Sequence, residues 1–516
     1  MSEKQKKETA PADSGSRITV NRPTVNIGRV NHTKENVRSA TNQNVKSAVK
    51  EVKFSAGAVQ KESAKEKIDF QKESPLQENS EKNTENGFFK SVGIRLKDES
   101  FGGFFSGKKG NRPASRMLEC GSVDIPLLMI FIILAVYGLI MVFSASYAYA
   151  YSKDENSYSF IKNQMIYFGL GAILAGIIIW LYDRVLNMGL VPKVVLIYFA
   201  VAICMLVLIF VPGFGIMEGE TKRWLDLKVI SLQPSEFAKG ALILMLALYF
   251  TKYEKKLGRE KGWNGLLLGS FIPYAMSAVI ILLVFLENHT SGTIILGLIA
   301  IMMVFFGERK HIFTVGALVL GLTVVIVAIT YLMQFDTPAK KAEAPELVNK
   351  IVTHYSWKRI EIWLRPEDFS IRDELWQTTQ GIYAIGSGGF MGVGFGQSRQ
   401  KHLFVSQPQN DFIFTIVCEE MGLVGAVIVI VLFAALIWRG VKVGAKIPDT
   451  FSRLAVWGLT ASIGMQAFLN IGVVTAILPN TGISLPFFSY GGSSIISLMI
   501  EVGIILALSR YAVKDN

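Results

Sequence analysis

The seven residues Gln233-Pro234-Ser235-Glu236-Phe237-Ala238-Lys239 set a carboxylate and an ammonium three positions apart at the start of an apolar run. On a helix that spacing puts both groups on one face, close enough to pair. The pair either neutralises itself and fixes packing or forms the charged wall of a cavity, because ionised groups on an apolar helix need water or polar partners. Glu287, Asn288 and His289 end another apolar run, ahead of Thr290, Ser291 and Gly292. A histidine there is a polar cap or an acid–base group. Glu419 and Glu420 lie a few residues into a third run. At least one of them must face the protein interior, for helix-end packing or for contact with a substrate or partner.

The other candidates share one long polar stretch. Arg359 and Glu361 precede Trp363-Leu364-Arg365-Pro366-Glu367-Asp368, and Asp373, Glu374 and Gln377 follow. Taken alone, an acid such as Asp368 in such a stretch is ordinarily just solvated. Gly386-Ser387-Gly388-Gly389, continued by Gly392, Gly394 and Gly396, could fold into a backbone nest for an anion or into a tightly packed turn. It lacks the strand-to-helix setting of a nucleotide loop.

The elements that hold these residues are read from hydropathy. The chain has 516 residues, 51% of them hydrophobic, with a mean hydropathy of +0.37, too apolar for an ordinary soluble protein. A bilayer core of ~30 Å needs roughly 20 apolar residues per helix. That ruler gives ten spans, at 125–146, 164–182, 194–212, 234–251, 266–286, 291–307, 312–334, 412–438, 455–477 and 489–509. The expected fold is therefore an all-α integral membrane protein of about ten transmembrane helices. A large extracellular loop, 335–411, joins helices 7 and 8, and a membrane domain from 118 to 516 follows a disordered cytoplasmic N-terminal tail. With Trp357, Trp363, Trp376 and its glycine run, the loop is expected to fold over the outer mouth of the bundle rather than act as a spacer.

The tail, residues 1–117, is polar and holds 23 Lys and Arg against 14 Asp and Glu, or +9 of the chain's +12 formal charge. It lacks a folded module for reading nucleic acid, so no nucleic-acid partner is expected. Its charge suits anionic headgroups of the lipid bilayer, and the alternative is a solvated tail. Phe88, Phe89, Phe101, Phe104 and Phe105 alternate with Lys90, Arg95, Lys97, Lys108 and Lys109, a mixture that fits a lipid interface. Cys120, Cys204 and Cys418 are scattered and give neither a disulfide framework nor metal spacing. The charged N-terminus has no apolar core of a signal peptide, so the first apolar helix is expected to direct insertion.

Loop charge orients the spans. If the tail is cytoplasmic, the inside loops are 183–193, 252–265, 308–311 and 439–454 plus the stub from Arg510. They carry Arg184, Lys193, Lys252, Lys255, Lys256, Arg259, Lys261, Arg309, Lys310, Arg439, Lys442, Lys446 and Arg453. The outside loops 287–290 and 478–488 carry no Lys or Arg. That asymmetry satisfies the positive-inside rule and puts both termini in the cytoplasm.

From about Asp124 to Arg510 the chain resembles the SEDS family, which includes the FtsW, RodA and SpoVE proteins. The resemblance rests on Val142-Phe143-Ser144-Ala145-Ser146, on Arg223-Trp224-Leu225 before the Gln233–Lys239 segment, and on Gln380 with Ala384-Ile385-Gly386-Ser387-Gly388-Gly389. It continues in Asn410-Asp411-Phe412-Ile413-Phe414, Glu419-Glu420, Pro479-Asn480-Thr481-Gly482 and Leu485-Pro486-Phe487-Phe488-Ser489-Tyr490-Gly491-Gly492-Ser493-Ser494. It implies a peptidoglycan glycosyltransferase of the bacterial cytoplasmic membrane that polymerises lipid II at the outer face and releases undecaprenyl pyrophosphate. The spelling Pro408-Gln409-Asn410-Asp411 is closest to the FtsW and SpoVE branch, for division or sporulation.

The resemblance assigns the catalytic acid to Asp368, with Asp373 as the fallback because the segment from Asp368 to Gln377 runs longer than the family pattern. An ordinary Asp titrates at ~3.9, so an efficient base would need partial burial to raise it. Glu236 and Lys239 match the family's cavity pair, Arg223 and Arg359 are the candidates for the pyrophosphate, and Ser489, Gly491, Gly492 and Ser493 should line the same mouth. No cofactor is firmly implied, although a divalent cation (magnesium or manganese) suits a pyrophosphate. The implied partners are a class B penicillin-binding protein acting as transpeptidase, held along the later spans, and other division or elongation proteins. Two departures stand out: Gly219-Glu220-Thr221 before the Arg-Trp pair, and Val405-Ser406-Gln407 before Asn410. The competing functions are a lipid II flippase, which should carry charges through the bilayer depth, and a scaffold that recruits the transpeptidase.

Overall fold

A computed structural model describes residues 121–513 apart from 219–220, 227, 229–230, 260–262, 308–311, 336–339 and 341–343. The basic arm with its phenylalanines, together with Cys120, Lys261, Arg309 and Lys310, lies outside the described residues. The expected spans are present as α1 (Ile125–Asp154), α2 (Ser159–Asn187), α3 (Val191–Leu208), α4 (Pro234–Arg259), α5 (Trp263–Leu286), α6 (Thr290–Gly307) and α7 (Ile312–Leu332). The later ones are α11 (Ile413–Lys446), α12 (Thr450–Val474) and α13 (Gly492–Ser509). Eight of these are long and apolar enough to cross a membrane among the described residues, so the chain is a multi-pass membrane protein.

One feature departs from an all-helical reading, and a second gives structure to the long loop. Between α3 and α4 the chain makes a small antiparallel sheet of β1 (Gly215–Glu218), β2 (Thr221–Asp226) and β3 (Ser231–Leu232), in that order. The long connection folds into α8 (Glu346–Thr353), α9 (Tyr355–Leu364), a 3-10 turn Pro366–Asp368 and α10 (Trp376–Gly388). Val348, Val352 and Trp357 of α8 and α9 form a core of their own against Ile329, Leu332 and Met333 at the end of α7. The indoles of Trp363 and Trp376 donate to the carbonyls of Ala476 (3.0 Å) and Phe404 (2.8 Å).

Local chemistry explains the irregular helices. Asp124 caps α1 by accepting from Leu127 N (3.0 Å), with Pro126 in the first turn where a missing N–H costs nothing. In α5, Pro273 follows a π-helical stretch, Leu267–Phe271, and the Tyr249 hydroxyl donates to Leu268 O (2.8 Å) there. α11 breaks at Gly422, where φ is +65° and ψ is −162°. In lipid every backbone group needs a partner, and here the Gly386–Gly396 run provides them. Val393 N and Gly394 N donate to Glu419 O (2.9 Å) and Glu420 O (3.1 Å), and Leu423 N donates to Gly389 O (2.9 Å). The run is thus a packed turn against a broken helix, and these N–H groups are not turned toward an anion.

Helices in lipid associate by close packing rather than by escape from water. α2 and α13 meet where a Cβ on Gly503 would stand 2.7 Å from Ala175 Cα, so only glycine allows that approach. The main core gathers Phe250, Phe412, Phe487 and Phe488 with aliphatic residues of most spans. At one end of the bundle Asp124 takes two bonds from Arg439 (2.9 and 2.7 Å), and Arg510 pairs with Asp183 (2.9 Å). The long connection, the sheet and the 475–491 loop meet at the other end.

Candidate active site

That other end gathers side chains from four connections. Arg359 on α9 donates from Nη1 to Asn480 O (2.9 Å), and Ser291 at the start of α6 donates to Thr481 O. Asn470 Nδ2 donates to Asp411 O (2.7 Å) and to Ile483 O (2.6 Å), which ties the approach to α11 to the same loop. Gly482, at φ +70°, makes room there. A Cβ on it would lie 3.1 Å from Asp411 Oδ2 and 3.8 Å from Arg359 Nη1. Burial pushes the half-buried Asp411 carboxyl up to about 6, against the pull of Arg359 and Arg223.

Arg223 reaches the cluster from β2, and its charge acts on three neighbours. Glu287 is 1% exposed with neither carboxyl oxygen hydrogen-bonded among the described residues, and burial raises it to about 8 against the pull of Arg223. His289 is buried, and its Nδ1 lies 3.0 Å from Ser235 Oγ. Burial, with Arg223 and then Lys239 nearby, lowers it to about 3 and keeps the ring neutral at physiological pH. Of the two readings of His289, the geometry gives a neutral interior hydrogen-bonding group.

One turn into α4 the charged wall continues. Lys239 Nζ donates to Glu236 Oε2 (2.9 Å) and to Gln466 Oε1 (2.5 Å), and Gln466 Nε2 bonds Ser484 O (3.1 Å) and Oγ (3.0 Å). Glu236, Lys239, Gln466, Ser484, Ser489 and Glu501 are among the residues lining a small cavity within the bundle. The i,i+3 spacing thus yields both a pair and a cavity wall.

A model of the FtsW/RodA/SpoVE family, described as cell cycle protein, matches residues 125–514. The chain belongs to that family. It is 33% identical over 399 residues to stage V sporulation protein E of Bacillus subtilis, covering 76% of this chain and 98% of that protein. It is also 33% identical over 387 residues to a probable peptidoglycan glycosyltransferase FtsW of Geobacter sp. (strain M18), covering 75% and 96%. A chain of a solved peptidoglycan synthase complex, described as a structural coordination of polymerization and crosslinking, shares the fold. Its TM-score is 0.57 at 21% identity, over 75% of this chain and 98% of that one.

The residues expected at the site of this FtsW/RodA/SpoVE-family chain fall into three groups. Arg223, Arg359, Glu236 and Lys239 stand at the same end of the bundle, as described. Ser489, Gly491, Gly492 and Ser493 chiefly hold the loop. Ser489 Oγ accepts from Leu485 N (2.7 Å) and donates to Asn410 O (2.9 Å), Gly491 N donates to Gln164 Oε1 (3.2 Å), and Ser493 Oγ accepts from Gln233 N (3.1 Å). A Cβ on Gly492 would meet the Tyr167 ring at 2.8 Å, and of these four Ser489 lines the cavity. Asp368 lies exposed on the 3-10 turn after α9, and Asp373 is exposed in the turns beyond it.

Glu419 and Glu420 both face inward. Glu419 accepts from Ser398 Oγ (2.5 Å) and Arg399 N (2.9 Å), and Glu420 pairs with Lys401 (2.8 Å). This is packing across elements, with Lys401 unmarked by any local sequence signal. Glu501, deep in α13, is likewise hidden in the sequence by its apolar neighbours. Among the described residues no three His, Cys, Asp or Glu side chains converge, so they offer no cage for a divalent ion.

Proposed function

We propose that this chain is a peptidoglycan glycosyltransferase that polymerises lipid II into glycan strands at the outer face of the bacterial cytoplasmic membrane, in division or sporulation. The observation that carries the reading is the meeting of Arg223 and Arg359, from separate connections, around Asp411 and the 479–482 turn. The cavity lined by Glu236 and Lys239 also takes in Ser484 and Ser489 of the 475–491 loop, at the same end of the bundle. In the reaction a GlcNAc 4-hydroxyl attacks the anomeric carbon of MurNAc. The C–O bond to the pyrophosphate breaks, and undecaprenyl pyrophosphate leaves with the bonding pair. Asp368 accepts the hydroxyl proton, Asp373 being the fallback. The two guanidiniums offset the charge that grows on the leaving oxygens. An exposed carboxylate gains basicity when the sugar covers it, since desolvation disfavours the charged form. The charge of the loops supports an orientation with both termini in the cytoplasm and the 335–411 connection outside.

The relatives' names support the reaction. The similar synthase complex, in which polymerization and crosslinking are coordinated, supports pairing with a crosslinking partner, here a class B penicillin-binding protein. A flippase reading draws on one observation, the buried carboxyl of Glu501 deep inside the bundle. Purified protein with its transpeptidase, supplied with lipid II, separates the readings. Wild type is expected to make polymer and Asp368→Asn to lose about 10²–10⁴-fold of the rate, with detergent stability unchanged because the side chain is exposed. Full activity in Asp368→Asn with loss in Asp373→Asn moves the base. Lipid translocation in vesicles without polymer from any form supports the flippase.

A further inference from the structure

Glu501 lies on the tenth residue of α13 and is only 4% exposed, and the charges of Lys239 and Glu236 act on its carboxylate. It lines the cavity that also holds Glu236, Lys239 and Gln466. A Cβ on Gly240 of α4 would lie 3.4 Å from Glu501 Oε1, so the carboxylate reaches across the helix interface to a point one residue past Lys239. Lys239, for its part, donates to two acceptors, Glu236 and Gln466, and an ammonium has three protons to give.

The charges in this cavity do not balance. From α4 it receives one carboxylate and one ammonium, from α12 the neutral Gln466, and from α13 the carboxylate of Glu501. From α3 the Tyr198 hydroxyl, donating to Phe237 O (3.1 Å), stands 3.2 Å from the same point on Gly240. α2 faces α13 with Gly171 and Ala175, which bring no charge. Two carboxylates against one ammonium leave one uncompensated negative charge inside a membrane bundle, a strongly unfavourable state unless neutralised.

We propose that this cavity takes up one further unit of positive charge at Glu501, as a proton or as a dehydrated alkali cation, and that this site works beside the Glu236–Lys239 pair. With Glu501 neutralised, Lys239 stays with Glu236 and Gln466. With Glu501 ionised and bare, the ammonium turns its third proton toward it and is pulled away from Glu236. The site therefore sets how much of the Lys239 charge Glu236 receives. The inference rests on the cavity alone and holds for a polymerase or a flippase.

Difference infrared spectroscopy of the full chain in nanodiscs tests it, comparing wild type with Glu501→Gln in sodium, potassium and choline buffers at neutral pH. A carboxylic-acid C=O band in wild type, absent from Glu501→Gln in every buffer, assigns the proton. A carboxylate band at Glu501 that shifts between choline and an alkali cation assigns the ion. A carboxylate band that is insensitive to cation, or spectra identical in wild type and Glu501→Gln, overturns the proposal. Glu501→Asp keeps the carboxyl and moves it, so a band displaced in that variant provides the same assignment if the glutamine variant does not purify, and an undisplaced band overturns it.

Discussion

Lys239 and Lys401 are both buried beside a glutamate, at 4% and 3% exposure, with ion-pair distances of 2.9 and 2.8 Å. The first pair borders a cavity and the second is sealed. Lys401 donates to Glu420 (2.8 Å), Gly396 O (2.7 Å) and Ser144 Oγ (3.2 Å), which uses all three ammonium protons. Glu420 also accepts from the Ser144 hydroxyl, and the lock joins α1, the glycine-rich turn and α11. Lys239 has two acceptors, and Glu236 keeps 13% of its side chain exposed. A buried pair with every bond made fixes structure. A pair one bond short, beside a cavity and a second carboxylate, is free to change partner, and that difference separates scaffold from site in chemistry that looks alike.

The comparison predicts unequal costs. Lys401→Met leaves Glu420 charged and buried, and should lower stability by ~3–5 kcal/mol, read as a fall in unfolding midpoint in detergent. Lys401→Met combined with Glu420→Gln should recover most of that loss, because the uncompensated charge is gone. An equal loss in the double variant would mean that Lys401 matters for its packing rather than its pair. Lys239→Met should cost less, roughly 1–3 kcal/mol, since the cavity can admit water to Glu236, while polymer formation falls far more than stability. A Lys239→Met protein as unstable as Lys401→Met would erase the distinction between the two pairs.

The division between legible and hidden residues follows the range of their interactions. Eight of the expected spans are readable because each needs only its own run of apolar side chains, and the Glu236–Lys239 pair because three residues of helix place both groups. Span ends move where polar residues extend a helix past the lipid, as at Lys252–Arg259 of α4. Lys401 and Ser144 are 257 positions apart, so nothing local marks their bond. The sheet carrying Arg223 depends on pairing such as Leu225 with Leu232, in a segment without strand alternation. Asp411 is visible as part of a motif, but its place between Arg359 and Gly482 requires the fold. Glu501 is lost in the average hydropathy of α13, which one acid among eighteen residues hardly changes.

Glu287 extends the contrast to a carboxyl whose two oxygens have no hydrogen-bond partner among the described residues. Its ordinary value is near 4.5, and burial holds it near 8 in the folded protein. Between those values the unfolded chain has released the proton while the folded one keeps it, so stability falls as pH rises through the window. The slope approaches about 1.4 kcal/mol per pH unit, the worth of one proton, and flattens above pH 8. Glu287→Gln should abolish that slope and be the more stable protein at pH 8. A wild-type midpoint that stays level from pH 5 to 8 would show that Glu287 is charged and paired instead.

Lys350 and Glu346 provide the reference at the weak end. They pair at 2.7 Å with i,i+4 spacing on α8, as close as the two buried pairs, but with 74% and 84% of their side chains exposed. Water already solvates both ions, so forming the pair gains little and fixing two long side chains offsets it. Lys350→Ala should leave the unfolding midpoint and the polymerisation rate within replicate scatter, in low salt as in high. If it instead destabilised the protein as Lys239→Met does, distance alone would govern these pairs, and the argument from sealing and unfilled bonds would fail.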